Sequence, residues 1–375
     1  MFLTEEERKL TIEGCRFCPM CFHADTVAAI TCKETNSPRG RGLILYALEH
    51  GIVKWDDPVV QDVFFKSFLD GLPQEWCAGH YDHDELVIDT RHRLVEKGFI
   101  PEEVRRVISR VKDSGSPYQD PGWTMQDFYN HIEAKPAEGA DRLVFLGCAA
   151  RSRYRQSPLA FFKILKAFGE PFSLLPEEGC CGMPLYLFGD FSNASIQAQK
   201  VAQQITAARP KELIFLDADC YRMFLTRYRK FGAFLPEGLR MFHVSEWLDT
   251  QIHKKKIPLQ KNPQLGTYHD PCSLARFIKA HEHPRAVIRS LFTPKLAEMQ
   301  LSEAKANCCG GGGGMPFTNP DIAGEAAKRR YGQARKSGAA VLITSSPGCA
   351  AMLSMAQESD GPVVKDLSEA VAEAL

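Results

Sequence analysis

Asn307-Cys308-Cys309-Gly310-Gly311-Gly312-Gly313-Gly314-Met315-Pro316 decides how the chain is read: two adjacent cysteines run into five glycines and then Met-Pro. Adjacent thiols rarely pair with each other, because the small ring a disulfide would close is strained. Two thiolates at one point suit a cluster of metal ions better. Glycines beside them let backbone approach closely, present N–H groups and supply positive φ where a turn needs it. A shorter version lies upstream, Cys180-Cys181-Gly182-Met183-Pro184. Two such stretches, each running on to Met-Pro, imply a repeat.

The flanks repeat as well. Leu143-Val-Phe-Leu146 predicts a buried strand ending at Gly147-Cys148, followed by a helix over 157–168 and a strand over 171–175. After Cys180-Cys181 the pattern predicts a helix over 192–208, a strand over 213–216 and a helix opened by Asp219-Cys220. In the second copy Gly266-Thr-Tyr-His-Asp270 leads to Cys272, a helix is predicted over 320–337, and Ala340-Val-Leu-Ile343 leads to Cys349. The cysteine gaps are 31 and 38 residues in the first copy and 35 and 39 in the second. An internal duplication is the simplest account. Strands alternating with helices predict parallel α/β sheets, with the cysteines at the edge where strand C-termini and helix N-termini gather ligands.

Residues 1–113 read as mostly helical, with helices predicted over 42–50, 58–71, 84–97 and 101–112. Pro58 and Pro101 sit near two helix starts, where proline is tolerated. Residues 114–141, rich in Gly, Pro, Asp and Ser, read as a linker with at most one helical turn. The N-terminal part carries Cys15-Arg-Phe-Cys18-Pro-Met-Cys21, then Cys32 and Cys77. Cys-x-x-Cys-x-x-Cys puts three thiolates on a tight loop, the geometry a [4Fe–4S] cube asks of one segment, with a fourth thiolate from elsewhere. Zinc is the alternative, although it more often takes two Cys-x-x-Cys pairs.

The bulk numbers narrow the classes. At 375 residues the chain is long enough for two or three domains, and 44% apolar with 25% charged residues is ordinary for a globular protein. The formal net charge of zero gives no field that would favour nucleic acid. The start, Met-Phe-Leu-Thr-Glu-Glu-Glu-Arg, has no apolar signal core, and no apolar run approaches a membrane span. A cytoplasmic location is expected, with peripheral membrane association through a partner left open. Thirteen cysteines, an odd number and clustered, point to metal or redox chemistry rather than disulfides in that compartment.

On these motifs the chain resembles the iron–sulfur subunits of flavin-linked dehydrogenases of the glycolate oxidase and anaerobic glycerol-3-phosphate dehydrogenase type. Residues 15–100 are similar to their ferredoxin-like domain. Residues 142–355 are similar to their paired cysteine-rich CCG domains, which also occur in heterodisulfide reductase. The resemblance implies an α+β protein: a small helical ferredoxin-like domain over 1–113, the linker, and two α/β CCG domains over 142–260 and 261–375. That family holds two cubes in its N-terminal domain. Here the fourth position of motif one is Asp25, and motif two keeps only Cys77, followed by Asp82, Leu86, Ile88 and Arg91. The resemblance therefore implies one [4Fe–4S] cluster on Cys15, Cys18, Cys21 and Cys77. Cys32 is the rival fourth ligand, and Asp25 is expected to cap a helix or face solvent.

The CCG copies depart too. Asp217 and Ser346 stand where the family has a further cysteine, leaving Cys148, Cys180, Cys181 and Cys220 in one copy and Cys272, Cys308, Cys309 and Cys349 in the other. Four cysteines suffice for a cubane; the five-cysteine form holds a larger, non-cubane cluster. One or two further clusters are expected, with Asp217 and Ser346 as helix N-caps. The motif His269-Asp270-Pro271 resembles a family element, and His269 is a candidate donor to a cluster sulfur or a packing residue. His80-Tyr-Asp-His-Asp84 reads as a solvated helix entrance. Arg39 and Arg41 read either as charges offsetting the first cube or as surface arginines. The sequence has no Rossmann fingerprint and no P-loop. The expected role is an electron-transfer subunit that takes electrons from a flavin dehydrogenase partner and passes them to a quinone or other carrier. Such a role needs no acid–base or nucleophile constellation, and none is found. The alternatives are a cluster that itself cleaves or forms a disulfide, and a zinc-stabilised scaffold.

Overall fold

The computed structural model describes residues 3–132, 136–137, 139–255, 257–293 and 295–375. Its N-terminal part is helical. The helix Glu5–Cys15 starts at a capping box, in which Thr4 and Glu7 satisfy each other's backbone N–H. Ser37 and Asp57 cap the helices Pro38–Glu49 and Pro58–Phe64, each with proline at the first position. Asp82 caps His83–Glu96, and Glu102–Ser114 ends on Gly115 at φ 67°.

The helix expected over 58–71 stops at Phe64. The cause is tertiary. The buried guanidinium of Arg91 donates to the carbonyls of Phe64 at 2.8 Å and Ser67 at 3.2 Å, replacing the helical bonds that would have continued the run. The freed segment 65–71 lies against the glycine run of the second repeat. Segment 114–141 carries the helix Met125–His131, begun by a Thr124 capping box, and buries Met125 and Phe128. Residues 133–135 and 138 of that segment lie outside the described residues.

Two three-stranded parallel sheets follow. Strands β1 (Arg142–Phe145), β2 (Glu212–Phe215) and β3 (Arg240–His243) form one, in that order. Strands β4 (Gly266–His269), β5 (Val341–Thr344) and β6 (Val363–Asp366) form the other. The registers match: Phe145 pairs with Phe215, and His269 with Thr344. The expected strand over 171–175 is a single bridge, Leu143 to Ser173. Pro171 and Pro176 on either side have no N–H with which to extend a ladder. β3 and β6, not anticipated from the sequence, complete the third strand of each copy.

The two sheets share one apolar core. Val144 and Ile214 of the first and Val341 and Ile343 of the second belong to the same buried cluster. The helix Gln156–Ala167 packs on Leu367–Glu373, and Val244–Lys255 on Glu282–Leu291, each pair joining the two copies. Ser157 Oγ donates to Asp366 Oδ1 at 2.9 Å across the same seam. The chain is thus α+β, a helical N-terminal part followed by two parallel-sheet repeats. Among the described residues no helix is long and apolar enough to cross a membrane.

Candidate metal centres

The N-terminal thiols converge. Cys15 closes its helix, and the backbone turns at once so that Cys18 N donates to Cys15 O at 3.2 Å. Burial pushes the Cys15 thiol up to about 12, and the Cys21, Cys77 and Cys18 thiols add to the shift. Cys21 is likewise pushed up to about 12, by burial, then Cys77, Asp25 and Cys18. Cys77, 62 residues beyond Cys15 in sequence, lies near enough to Cys15 and Cys21 to add to both shifts. Cys32 is exposed, at the left-handed C-cap of the helix Thr26–Thr31, with φ 54°.

Asp25 is fully engaged elsewhere. Its Oδ1 accepts from Ala28 N at 2.9 Å as the cap of Thr26–Thr31, and its Oδ2 accepts from Arg41 Nη1 at 2.7 Å. Arg41 is completely buried and is not a surface charge, whereas Arg39 is partly exposed beside Glu34 at 3.8 Å. The polar run 80–84 also differs from the solvated entrance expected. Asp82 does cap the helix, but His83 and Asp84 are buried, and Asp84 Oδ2 accepts from Gly71 N at 2.7 Å. Burial, then Arg41, lowers His83 to about 3, so it packs as a neutral ring.

In the repeats, the first and last cysteine of each copy lie just past a strand, and the Cys-Cys pairs lie in the turns that lead to helices. Cys148 opens Cys148–Ser152 after β1, and Cys220 lies in Ala218–Thr226 after β2. Cys272 follows β4, and Cys349 lies in Pro347–Met355 after β5. Cys148 Sγ is 4.0 Å from Cys180 Sγ, and Cys309 Sγ is 3.2 Å from Cys349 Sγ. The Cys-Cys-Gly turns are alike in detail. Gly182 and Gly310 both have φ 92°, and their N–H groups donate to the sulfurs of Cys180 at 3.5 Å and Cys308 at 3.3 Å. A side chain at Gly310 would also strike Ala323 O at 2.2 Å, so only glycine turns this corner. Prolines 184 and 316 then begin the helices Met183–Leu187 and Met315–Thr318.

The rest of the glycine run serves close approach. A Cβ at Gly312 would lie 2.3 Å from Phe68 O, and one at Gly313 1.9 Å from Ser67 O. The N-terminal segment is thereby seated on the second cysteine set, and Asp70 of that segment raises both Cys272 and Cys308. Arg91 fastens the joint, donating also to Leu187 O at 2.8 Å and Gly313 O at 2.9 Å, one carbonyl from each repeat. Glu178 holds the other side: its carboxylate accepts from Leu146 N at 2.8 Å and Gly147 N at 2.7 Å, just before Cys148. Arg91 is legible only as part of the family-like stretch after Cys77, and Glu178 not at all, since a buried charge that binds only backbone gives its role no sequence signature.

The two sets face one cavity of about 350 Å³, lined by Cys148, Cys181 and Cys220 from one repeat and Cys272, Cys309 and Cys349 from the other. Asp217 lies at its seam. Its Oδ1 accepts from Asp219 N at 2.9 Å and Cys220 N at 3.4 Å, so it caps its own helix as expected. Its Oδ2 accepts from Ser346 Oγ at 3.3 Å and Gly348 N at 3.4 Å. Ser346 is therefore not a cap of its own helix; Asp217, from the other repeat, takes that place. Burial, with Asp219 nearby, pushes the Asp217 carboxyl up to about 6.

The donor sets fit iron–sulfur chemistry. Burial and then Cys308 push Cys272 up, while hydrogen bonds to neighbouring thiols, then burial, do the same for Cys148 and Cys308. Without a cation these thiols keep their protons. A polycationic centre held by these thiols would favour their thiolate forms, which the nearby Arg151 and Arg276 already assist at Cys148 and Cys272.

A family model for a cysteine-rich domain, CCG, matches the chain twice, over residues 143–225 and 266–354. A "Probable membrane-anchored ferredoxin" of Chromohalobacter salexigens is 30% identical over 80% of this chain and 46% of its own length. One of the subunits of the dihydromethanophenazine:CoB–CoM heterodisulfide reductase of Methanosarcina mazei is 30% identical over 81% of this chain and 76% of its own length. The chain thus spans less than half of the first relative and about three quarters of the second. The crystal structure of a hypothetical protein from Helicobacter pylori shares the fold, with a TM-score of 0.58 at 13% identity over 100% of this chain and 73% of that one. Two CCG repeats and this kinship place the chain in the CCG family of cysteine-rich iron–sulfur proteins, among the relatives of heterodisulfide reductase.

Proposed function

We propose that the chain is the iron–sulfur electron-transfer subunit of an oxidoreductase complex. It would take electrons from a flavin-containing dehydrogenase partner and pass them to a quinone or other carrier. The observation that carries this reading is the convergence of three separate cysteine sets within one continuous protein body. Cys15, Cys18, Cys21 and Cys77 would hold one [4Fe–4S] cluster. Cys148, Cys180, Cys181 and Cys220, and Cys272, Cys308, Cys309 and Cys349, would hold one or two more, cubane or non-cubane. Such clusters supply one-electron storage and transfer; the protein supplies ligation, burial and hydrogen bonds to sulfur.

Several features support the order of stations. Cys18 is exposed, and beside it Phe17 and Met20 are 68% and 59% exposed, apolar surface suited to a docked redox partner. The segment 67–70 links the N-terminal set to the second repeat, whose thiols share the cavity with those of the first. The route would run from Cys15 and its partners to the second set and then to the first. The protein would act in the cytoplasm, with any membrane contact made through a partner.

One observation favours a second reading: a cavity walled by thiols from both repeats could admit a disulfide. Two electrons and two protons would convert it to two thiols, with the electrons supplied through the clusters. Anaerobic purification followed by iron and sulfide analysis, optical spectra and electron paramagnetic resonance tests the first reading. Protein that binds no iron or sulfide even after reconstitution would overturn it. Turnover of a disulfide panel by the isolated protein with reduced dye would establish the second.

A further inference from the structure

His269 and Arg330 form a buried pair beside the second cysteine set. His269 is the last residue of β4 and is 1% exposed, and Arg330, on the helix Pro320–Lys336, is fully buried. Arg330 Nε lies 3.0 Å from His269 Nδ1. The guanidinium is held in that orientation, because Nη1 donates to Leu301 O at 2.8 Å and to Gln333 Oε1 at 2.7 Å.

An arginine Nε always carries its hydrogen and is never an acceptor. Nδ1 of His269 must therefore accept, and the single ring proton of a neutral imidazole must sit on Nε2. Nε2 is buried and has no hydrogen-bond partner among the described residues. The ring shares a group with the thiols of Cys309 and Cys349 in which the potential ligand atoms lie within 4.8 Å of one another. At first sight His269, Cys309 and Cys349 are three metal ligands. Ligation through Nε2 would need a lone pair there and a proton on Nδ1, which would then face the Arg330 N–H, donor against donor.

The geometry points to a different assignment: Arg330 is a positioning residue that locks His269 as the Nε2–H tautomer, and His269 stays outside the ligand shell as a hydrogen-bond donor to a cysteine sulfur of the second set. This rests on the reading of Cys272, Cys308, Cys309 and Cys349 as cluster ligands. A hydrogen bond to a cluster sulfur favours the more negative, reduced state and so raises the reduction potential. The first repeat has Phe145 at the matching end of β1, which offers no such donor. The pair therefore makes the two sets unequal, with the second the easier to reduce.

The tautomer can be read without iron. In 15N-histidine-labelled apoprotein, nuclear magnetic resonance should show His269 with its proton on Nε2, identified by loss of the signal in His269→Gln. Arg330→Met should release the ring to a tautomer mixture, while Arg330→Lys, which keeps a donor, should retain Nε2–H. In iron-loaded protein, His269→Leu should shift the second-set midpoint potential downward, and His269→Gln, which retains a donor, should recover part of the shift. Pulsed electron paramagnetic resonance should show a weakly coupled exchangeable proton lost in His269→Leu. A proton on Nδ1, strong nitrogen coupling from a directly bound imidazole, or an unchanged potential in His269→Leu would each overturn the assignment. A failure to load iron would instead defeat the electron-transfer reading, and the tautomer measurement would still judge this one.

Discussion

Ser346 Oγ donates to Asp217 Oδ2 at 3.3 Å, joining two residues 129 positions apart. These are the two places where the family pattern has a further cysteine. Their side chains meet at the seam of the cavity, and the same Asp217 oxygen also takes the N–H of Gly348. One carboxylate thus caps a helix from each repeat. Where the family pattern has two thiolates, this chain has a polar weld between its two halves.

That weld can be weighed. Asp217→Ala removes the cap of Ala218–Thr226 and the bonds to Ser346 and Gly348, all in buried surroundings. A helix cap contributes about 1 kcal/mol, and a buried donor left unsatisfied costs about 1–3 kcal/mol, so a loss of roughly 2–4 kcal/mol is expected. Ser346→Ala should cost no more than about 1 kcal/mol, since Asp217 keeps its three N–H donors. Urea unfolding of the two variants beside the parent separates them. Equal effects would mean that the three N–H bonds to Asp217 contribute nothing beyond its bond to Ser346.

The glycine run offers a sharper contrast. At Gly313 φ is 62°, and a Cβ would stand 1.9 Å from Ser67 O, a backbone atom that cannot swing aside. Gly313→Ala should therefore destabilise the fold by several kcal/mol, on the scale of severe overpacking. Gly332, inside the helix Pro320–Lys336, has open space where its Cβ would be. Gly332→Ala should stabilise by about 1 kcal/mol through helix propensity alone. Denaturation midpoints of both variants check the pair, and a neutral Gly313→Ala would show that segment 65–71 is not held against the run.

Local signals in the sequence carried much of this architecture. The repeated Cys-Cys-Gly, its spacing and the apolar runs located both sheets, because the first and last cysteine of each copy follow a strand. Family resemblance assigns Cys77 to the set of Cys15, and Cys77 lies near enough to add to the Cys15 shift. What stayed hidden depends on distant atoms. The early end of Pro58–Phe64 is imposed by Arg91, 27 residues from the carbonyl it captures. The inward turn of Arg41 follows from Asp25, and Ser346 is drawn to Asp217 rather than to its own helix. β3 and β6 have partly exposed, mixed sequences that alternate too weakly to read as strands.

Asp366 makes stability depend on pH. Burial, opposed by the Ser368 N–H and joined by the Glu369 charge, pushes its carboxyl up to about 7 from an ordinary 3.8. The folded state then binds a proton more tightly than the unfolded chain. The stabilising contribution is fully present below about pH 4 and is lost as pH rises towards 7. Asp366→Asn keeps the cap of Leu367–Glu373 but cannot ionise. The variant should lose this part of the pH dependence and gain relative to the parent at pH 8, by about 1 kcal/mol or more. Urea titrations at pH 5 and pH 8 measure it; a parent–variant difference that does not change between the two would disprove the shift.

The last test bears on the first station of the path. Cys77 contributes to the field at both Cys15 and Cys21, whereas Cys32 is exposed at a helix end on a left-handed residue. If Cys77 supplies the fourth thiolate, Cys77→Ser should abolish the N-terminal cluster's electron paramagnetic resonance signal and lower the bound iron by one cluster's share. Cys32→Ser should leave both unchanged, because its thiol is exposed. Second-repeat signals should survive in both variants, since the Cys308 and Cys309 turn depends on Gly310 and its N–H bond rather than on Cys77. The reverse pattern, with Cys32 essential and Cys77 dispensable, would require the chain near Cys15 to fold around a different fourth ligand.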